Sequence, residues 1–97
     1  MLAMALDTEG RVVMNGRLDA SQAAAAQAFL DARSGTVVLD CAALDYLSSA
    51  GLGVLLKTHK RLAAAGGQLR LVRVGPPLNE LFVLSGFDHI LQIDAGA

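Results

Sequence analysis

Thr36-Val37-Val38-Leu39-Asp40 is the stretch that most limits what this chain can become. A short, β-branched apolar run without polar alternation reads as a buried strand covered on both faces, and so as the central strand of a sheet. The segment CAALDYL reads as a connection. After it, Leu52, Leu55, Leu56, His59, Leu62 and Ala63 recur at helical spacing from a start near Ser48. Gly66-Gly67 ends that helix, and QLRLVRV at 68–74 alternates as a strand does. Repeated strand–helix alternation favours a mixed sheet covered by helices.

The flanking segments extend the pattern. LAMAL (2–6) and the segment 11–16 are apolar stretches separated by the turn-like DTEG, which predicts an antiparallel opening pair of strands. Asp19 followed by Gln22 has the spacing of a capping box ahead of an alanine-rich helix that runs to Arg33, with Gly35 closing it. Pro76-Pro77 precedes a short helix over about 78–84, and after Gly86 the segment HILQI supplies a last short strand. The predicted order is ββαβαβαβ, an α/β domain over 1–97 with a mixed sheet of about four to five strands; 97 residues suffice for one core.

Charge and cysteine content narrow the function classes. A formal net charge of −1 offers no broad attraction for nucleic acid or anionic lipid. Cys41 is the only cysteine, so neither an internal disulfide nor a thiolate cluster is available, which fits a reducing compartment. MLAMALD lacks the basic start of a signal peptide, and no apolar run approaches a membrane span, so a cytoplasmic protein without membrane insertion is expected.

The stretch LSSAGLG, at 47–53, places two glycines at the start of a helix, where each costs roughly 1 kcal/mol relative to alanine. Phosphate binding would explain them, but neither a P-loop nor a Gly-x-Gly-x-x-Gly is present. Nucleophilic catalysis by Ser48 or Ser49 would need a base; His59 lies about three turns down the same helix, and no Gly-x-Ser-x-Gly elbow exists. No enzyme, cofactor or metal is therefore expected. Asp40 and Asp45 lack further ligands. Asp40 nevertheless reads as the end of a buried strand, at the edge where the serine-bearing helix begins, so the two form one predicted surface. Ala50 and Val54 lie beside Lys57 and Arg61 on the helix face turned away from the apolar stripe, which predicts a contact with another protein.

VVLDCAALDYLSSAGLGVLL resembles the signature of the STAS domain family, which includes the anti-sigma factor antagonists. NGRLDA is similar to the family's segment before the first helix, and LNELFVLSGFDHILQI to its downstream segment, so the resemblance covers nearly the whole chain. It implies a protein-binding switch that docks on an anti-sigma factor serine kinase. The serine two residues before the glycine, here Ser49, is the implied phosphorylation site, and a serine phosphatase would reset it. Ser48 and Ala50 on either side resemble a Ser-Ser-Ala-Gly subtype. The implied partner-binding set is Asp19, Asp40, Ser48, Ser49, Ala50, Gly51, Gly53, Val54 and Lys57, with the small residues keeping Ser49 open to a partner's backbone. The resemblance also extends to accessory subunits that dock on a transporter ATPase of the lipid-transport type. Members usually continue into a final helix where this sequence ends at Asp94-Ala95-Gly96-Ala97, so a C-terminal helix is expected to be missing, with a homodimer or a partner as possible cover.

Overall fold

In the computed structural model, which describes residues 2–95, strands and helices alternate as β1 (Leu2–Leu6), β2 (Val12–Leu18), α1 (Ala23–Asp31), β3 (Thr36–Leu47), α2 (Ser49–Ala64), β4 (Gln68–Val74), α3 (Pro76–Ser85) and β5 (Gln92–Ala95). This is the order the sequence predicts. The five strands lie in the sheet in chain order, β1 antiparallel to β2 and every other pairing parallel. β3, which contains TVVLD, is the middle strand. The C-terminal helix expected to be missing would come after β5, in the part of the chain outside the described residues.

Parallel strands taken in chain order and joined by right-handed crossovers send every connecting helix to the same face of the sheet. Burial follows that rule. Val12, Met14, Val37, Leu39, Leu69 and Leu71 are buried in one cluster with Leu30, Leu55, Leu62 and Phe82 from the helices. Val13, Val38 and Val72, which alternate with them on the strands, are only half-buried. The expectation that TVVLD is covered on both faces is corrected: among the described residues, helices cover one face.

CAALDYL is strand, not connection. β3 carries an extra residue twice relative to β2, once where Asp40 to Ala43 oppose Val13 to Asn15 and again where Leu44 to Tyr46 oppose Gly16 to Arg17. Such bulges break the two-residue alternation. Leu39, Asp40 and Cys41 are therefore buried in succession, and the later part of the strand carries no clean period for sequence reading to find.

The helices differ from expectation in detail. Asp19 does not form a capping box: its Oδ1 accepts from the Ser21 N–H at 3.0 Å and the Ser21 hydroxyl at 2.6 Å, and Gln22 is the N-cap without a side-chain bond. A short aspartate side chain closes a local turn two residues on as readily as it caps a helix. In α2 the buried residues are Gly51, Val54, Leu55, Thr58 and Leu62, whereas Ala63 is exposed and Leu52, Leu56 and His59 are half-buried. The buried arc is turned toward Val54 because α2 packs on α1 as well as on the sheet. Thr58 enters that arc with its hydroxyl satisfied, donating to the Val54 carbonyl at 2.9 Å and accepting from Gln27 at 3.1 Å. Near the end, HILQI is only partly strand; Phe87–His89 form a 3-10 turn, Leu91 is buried, and β5 begins at Gln92. Among the described residues no helix is long and apolar enough to cross a membrane.

Candidate functional site

β2 and β3 end side by side, with Leu18 paired to Leu47. The Ser48 N–H donates to the Leu18 carbonyl at 3.0 Å, continuing the ladder by one bond before α2 begins. Asp19 and the two serines are thereby brought to the same edge of the sheet. Ser48 is the N-cap: its backbone is extended (φ −85°, ψ 175°), its hydroxyl accepts from the Gly51 N–H at 3.2 Å, and its carbonyl accepts from Leu52 N–H at 2.9 Å. Ser49 is the first helical residue and is exposed. Since Ser48 makes the cap, the Ser49 hydroxyl is left outside it.

Gly51 and Gly53 have different reasons to be glycine. A Cβ on Gly51 would stand 2.6 Å from Leu47 Cδ1 and 2.8 Å from the Leu18 carbonyl oxygen, so the helix can reach the end of β2 only if that residue has no side chain. Around Gly53 a Cβ would meet nothing within 4 Å. Gly51 is buried against its own chain, which corrects the expectation that it opens the site to a partner.

Two grooves flank the serines. Asp45, Tyr46, Leu47, Ser48, Ser49 and Leu52 face Pro77, Leu78 and Leu81 of α3 across a concavity of about 420 Å³. On the other side Ala50, Gly53, Val54 and Lys57 meet Ala23, Ala24 and Gln27 of α1 around one of about 430 Å³. Val54 forms part of that second groove's floor but is 5% exposed and belongs to the core, contrary to the expected outer-face position. Lys57 is exposed, as expected. The sequence reading overlooked Tyr46, 40% exposed, with the Arg17 guanidinium 4.2 Å from its ring centroid, and the α3 residues Pro77 and Leu81. An aromatic residue two positions before a serine pair was the available signal for Tyr46; the α3 residues carry none, because only the fold brings them near.

Asp40 lies elsewhere. It sits within β3 on the face opposite the helices, and the remainder of the strand, at about 3.3 Å per residue, puts it roughly 20 Å from the serines. The predicted single surface of Asp40 and the serine helix is corrected accordingly. Its carboxylate is 3% exposed and accepts from Arg73 Nη2 at 2.7 Å and Nε at 3.1 Å, and from the Ala42 N–H at 3.0 Å. Hydrogen bonding from Arg73 holds the Asp40 carboxyl below its usual range against the opposing effect of burial. Arg73 adopts a positive φ of 53°, a sparsely populated conformation for a non-glycine residue that accompanies the register shift between β4 and β5.

The other candidate chemistry is distant or inert. Burial pushes the Cys41 thiol up to about 12, so it stays protonated. Neither His59 nor His89 lines either groove. Among the described residues no three His, Cys, Asp or Glu side chains gather as a metal site. Hydrogen bonding from the Ser21 hydroxyl lowers the Asp19 carboxyl, so this residue at the serine edge stays anionic.

A short cap, an exposed serine beside it and two grooves with apolar floors form a surface suited to docking. BtrV of Bordetella bronchiseptica is 46% identical over 57 residues, which are 59% of this chain and 49% of that protein. The anti-sigma F factor antagonist of Paenibacillus polymyxa is 35% identical over 57 residues, with the same coverage of 59% and 49%. The chain thus spans about half the length of the curated relatives it matches. The Bacillus cell-fate determinant SpoIIAA, solved in its phosphorylated form, superposes with a TM-score of 0.71 at 20% identity over 100% of this chain and 92% of that one. At that identity the likeness speaks for the fold. The profile of the STAS domain family matches residues 5–96, nearly the whole sequence, and the chain belongs to that family.

Proposed function

We propose that this STAS domain is an anti-sigma factor antagonist, acting as a binding switch rather than as an enzyme. Unphosphorylated, it docks on an anti-sigma factor serine kinase through the surface around Ser49, and phosphorylation of Ser49 releases it. A serine phosphatase then restores the binding form. The observation that carries this reading is the division of labour between two adjacent serines: Ser48 is committed to the cap of α2, and Ser49 is exposed between two grooves.

Two further points support it. Curated relatives include proteins named as antagonists of anti-sigma factors, and SpoIIAA has been solved both unphosphorylated and phosphorylated. The first turn of a helix also has backbone N–H groups without intrahelical acceptors and the positive end of the helix dipole, both of which favour an added phosphate. The partner surface on this reading comprises Asp19, Ser49, Ala50, Gly53 and Lys57 with Tyr46 and the α3 wall.

Phosphosite mapping after incubation with the cognate anti-sigma kinase and ATP tests the assignment. Phosphate is expected on Ser49 in the native chain and in Ser48→Ala, and none in Ser49→Ala. Phosphate retained in Ser49→Ala, or none on the native chain, overturns it.

A further inference from the structure

The strand register brings one arginine to the serine edge. Arg17 immediately precedes Leu18 at the end of β2, is exposed, and pairs across the ladder with Tyr46. Its guanidinium rests 4.2 Å from the Tyr46 ring centroid, and Tyr46 lines the same concavity as Ser49. Arg11, Arg61, Arg70 and Arg73 are each held by a carboxylate, whereas Arg17 has no ion pair among the described residues. Stacking on an exposed ring is a weak hold for a guanidinium, whose planar fork matches a phosphate with two parallel hydrogen bonds.

We infer that Arg17 binds the phosphate placed on Ser49, leaving the Tyr46 ring to do so. The pair rests on Ser49 being the phosphorylated residue, as proposed above. Distance permits it. The Ser48 N–H meets the Leu18 carbonyl at 3.0 Å, so the path from Arg17 through Leu18, that hydrogen bond and Ser48 to Ser49 would part the two Cα atoms by about 15 Å if it ran straight, and it turns at the cap. An extended arginine reaches about 7 Å from its Cα and a phosphoserine about 4–5 Å, which with a hydrogen bond of about 2.8 Å spans about 14 Å. The surroundings call for a cation. A phosphate brings about −1.5 to −2 charges to a neighbourhood that already holds Asp45, in the wall of the concavity, and Asp19, just past the end of β2. Tyr46 is the remaining ionisable group there, and Pro77, Leu78 and Leu81 of α3 add no charge. Lys57 lies two turns along α2 on the other groove. Formed in the free phosphorylated chain, the pair is a further contact that docking has to undo.

Phosphorus NMR titration of the chain carrying phosphoserine at position 49 tests the inference. The phosphoserine is installed during translation, so the result depends on no kinase and a failure here is distinct from a failure of the phosphosite mapping. Relative to the phosphorylated native chain, Arg17→Gln raises the second pKa of the phosphate, ordinarily near 6, by about half a unit or more, and Arg17→Lys recovers part of the difference. Arg33→Ala, in the pocket beside Thr36 at the opposite end of β3, leaves it unchanged. In the native chain the Arg17 Nε–H resonance shifts with the same midpoint as the phosphate, and this measurement decides the matter if circular dichroism shows that Arg17→Gln does not fold. Equal phosphate pKa values in the native chain and Arg17→Gln overturn the inference. So does an equal rise in Arg17→Gln and Arg33→Ala, or an Arg17 Nε–H resonance that does not follow the titration.

Discussion

Gly51 and Leu18 lie so close that a Cβ on the glycine would stand 2.8 Å from the leucine's carbonyl oxygen. The first turn of α2 is thereby held against the end of β2, and the Ser48 N–H bond to the same carbonyl fixes the chain immediately before it. Ser49 owes its position to this contact between backbones.

The two glycines of the motif should respond in opposite ways to alanine. Gly51→Ala forces either the helix or β2 to shift and costs about 1–3 kcal/mol, the range for overpacking. Gly53→Ala meets open space and gains up to about 1 kcal/mol from helix propensity. Denaturant unfolding of both variants checks this; equal effects would contradict the packing at Gly51.

Val54→Glu tests the corrected placement of that residue. With 5% exposure in the core, a carboxylate there has no partner and costs at least about 3 kcal/mol, so the domain should unfold or melt far lower. Leu55→Ala, at 1% exposure, should cost about 2–5 kcal/mol through lost burial and a cavity. Lys57→Glu, exposed on the same groove, should leave the unfolding midpoint unchanged. A stable Val54→Glu would return the residue to the outer surface.

The Asp40–Arg73 pair predicts a defined acid response. Because the folded-state pKa of Asp40 is lowered, its contribution to stability is present above the unfolded value near 3.9 and is lost as pH falls through the folded value. Arg73→Ala removes the main cause of that shift, so acid unfolding should begin at higher pH than in the native chain. Arg73→Gly should lose the pair equally but be about 1 kcal/mol more stable than Arg73→Ala, since glycine adopts the positive φ without strain. Unfolding followed from neutral pH down to pH ~2 in the three proteins reads both effects. Superimposable acid transitions would remove the pair from the account.

Much of the fold was legible because its strands and helices announce themselves locally. TVVLD, QLRLVRV and the leucines of α2 carry the periods of their elements, and Gly66-Gly67 and Pro76-Pro77 mark the boundaries. The second half of β3 was not legible: two bulges interrupt the alternation, so residues 41–47 resemble a loop. Asp40 was misplaced for the same reason, since a strand read as ending there would have put it at the serine edge. Val54 was misread because a helical wheel shows the sheet-facing stripe but not the additional arc that α1 covers. Ser48, Ser49 and Gly51 were found because their pattern is contiguous, whereas Arg17, Pro77 and Leu81 reach the site only through tertiary structure.

The central claim is that phosphate on Ser49 acts on the interface and not on the fold. At the N-terminus of α2 the added charge is tolerated locally, with a favourable interaction of roughly 0.3–1 kcal/mol. Pressed into an interface without a cationic partner it must shed water at a cost of several kcal/mol, which lowers affinity by roughly two to three orders of magnitude. The direct measurement is calorimetric titration of the cognate anti-sigma kinase with the unmodified and the Ser49-phosphorylated protein, alongside the melting temperature of each. The account predicts a loss of affinity of about a hundredfold or more with nearly equal melting temperatures; equal affinities for the two forms would contradict it.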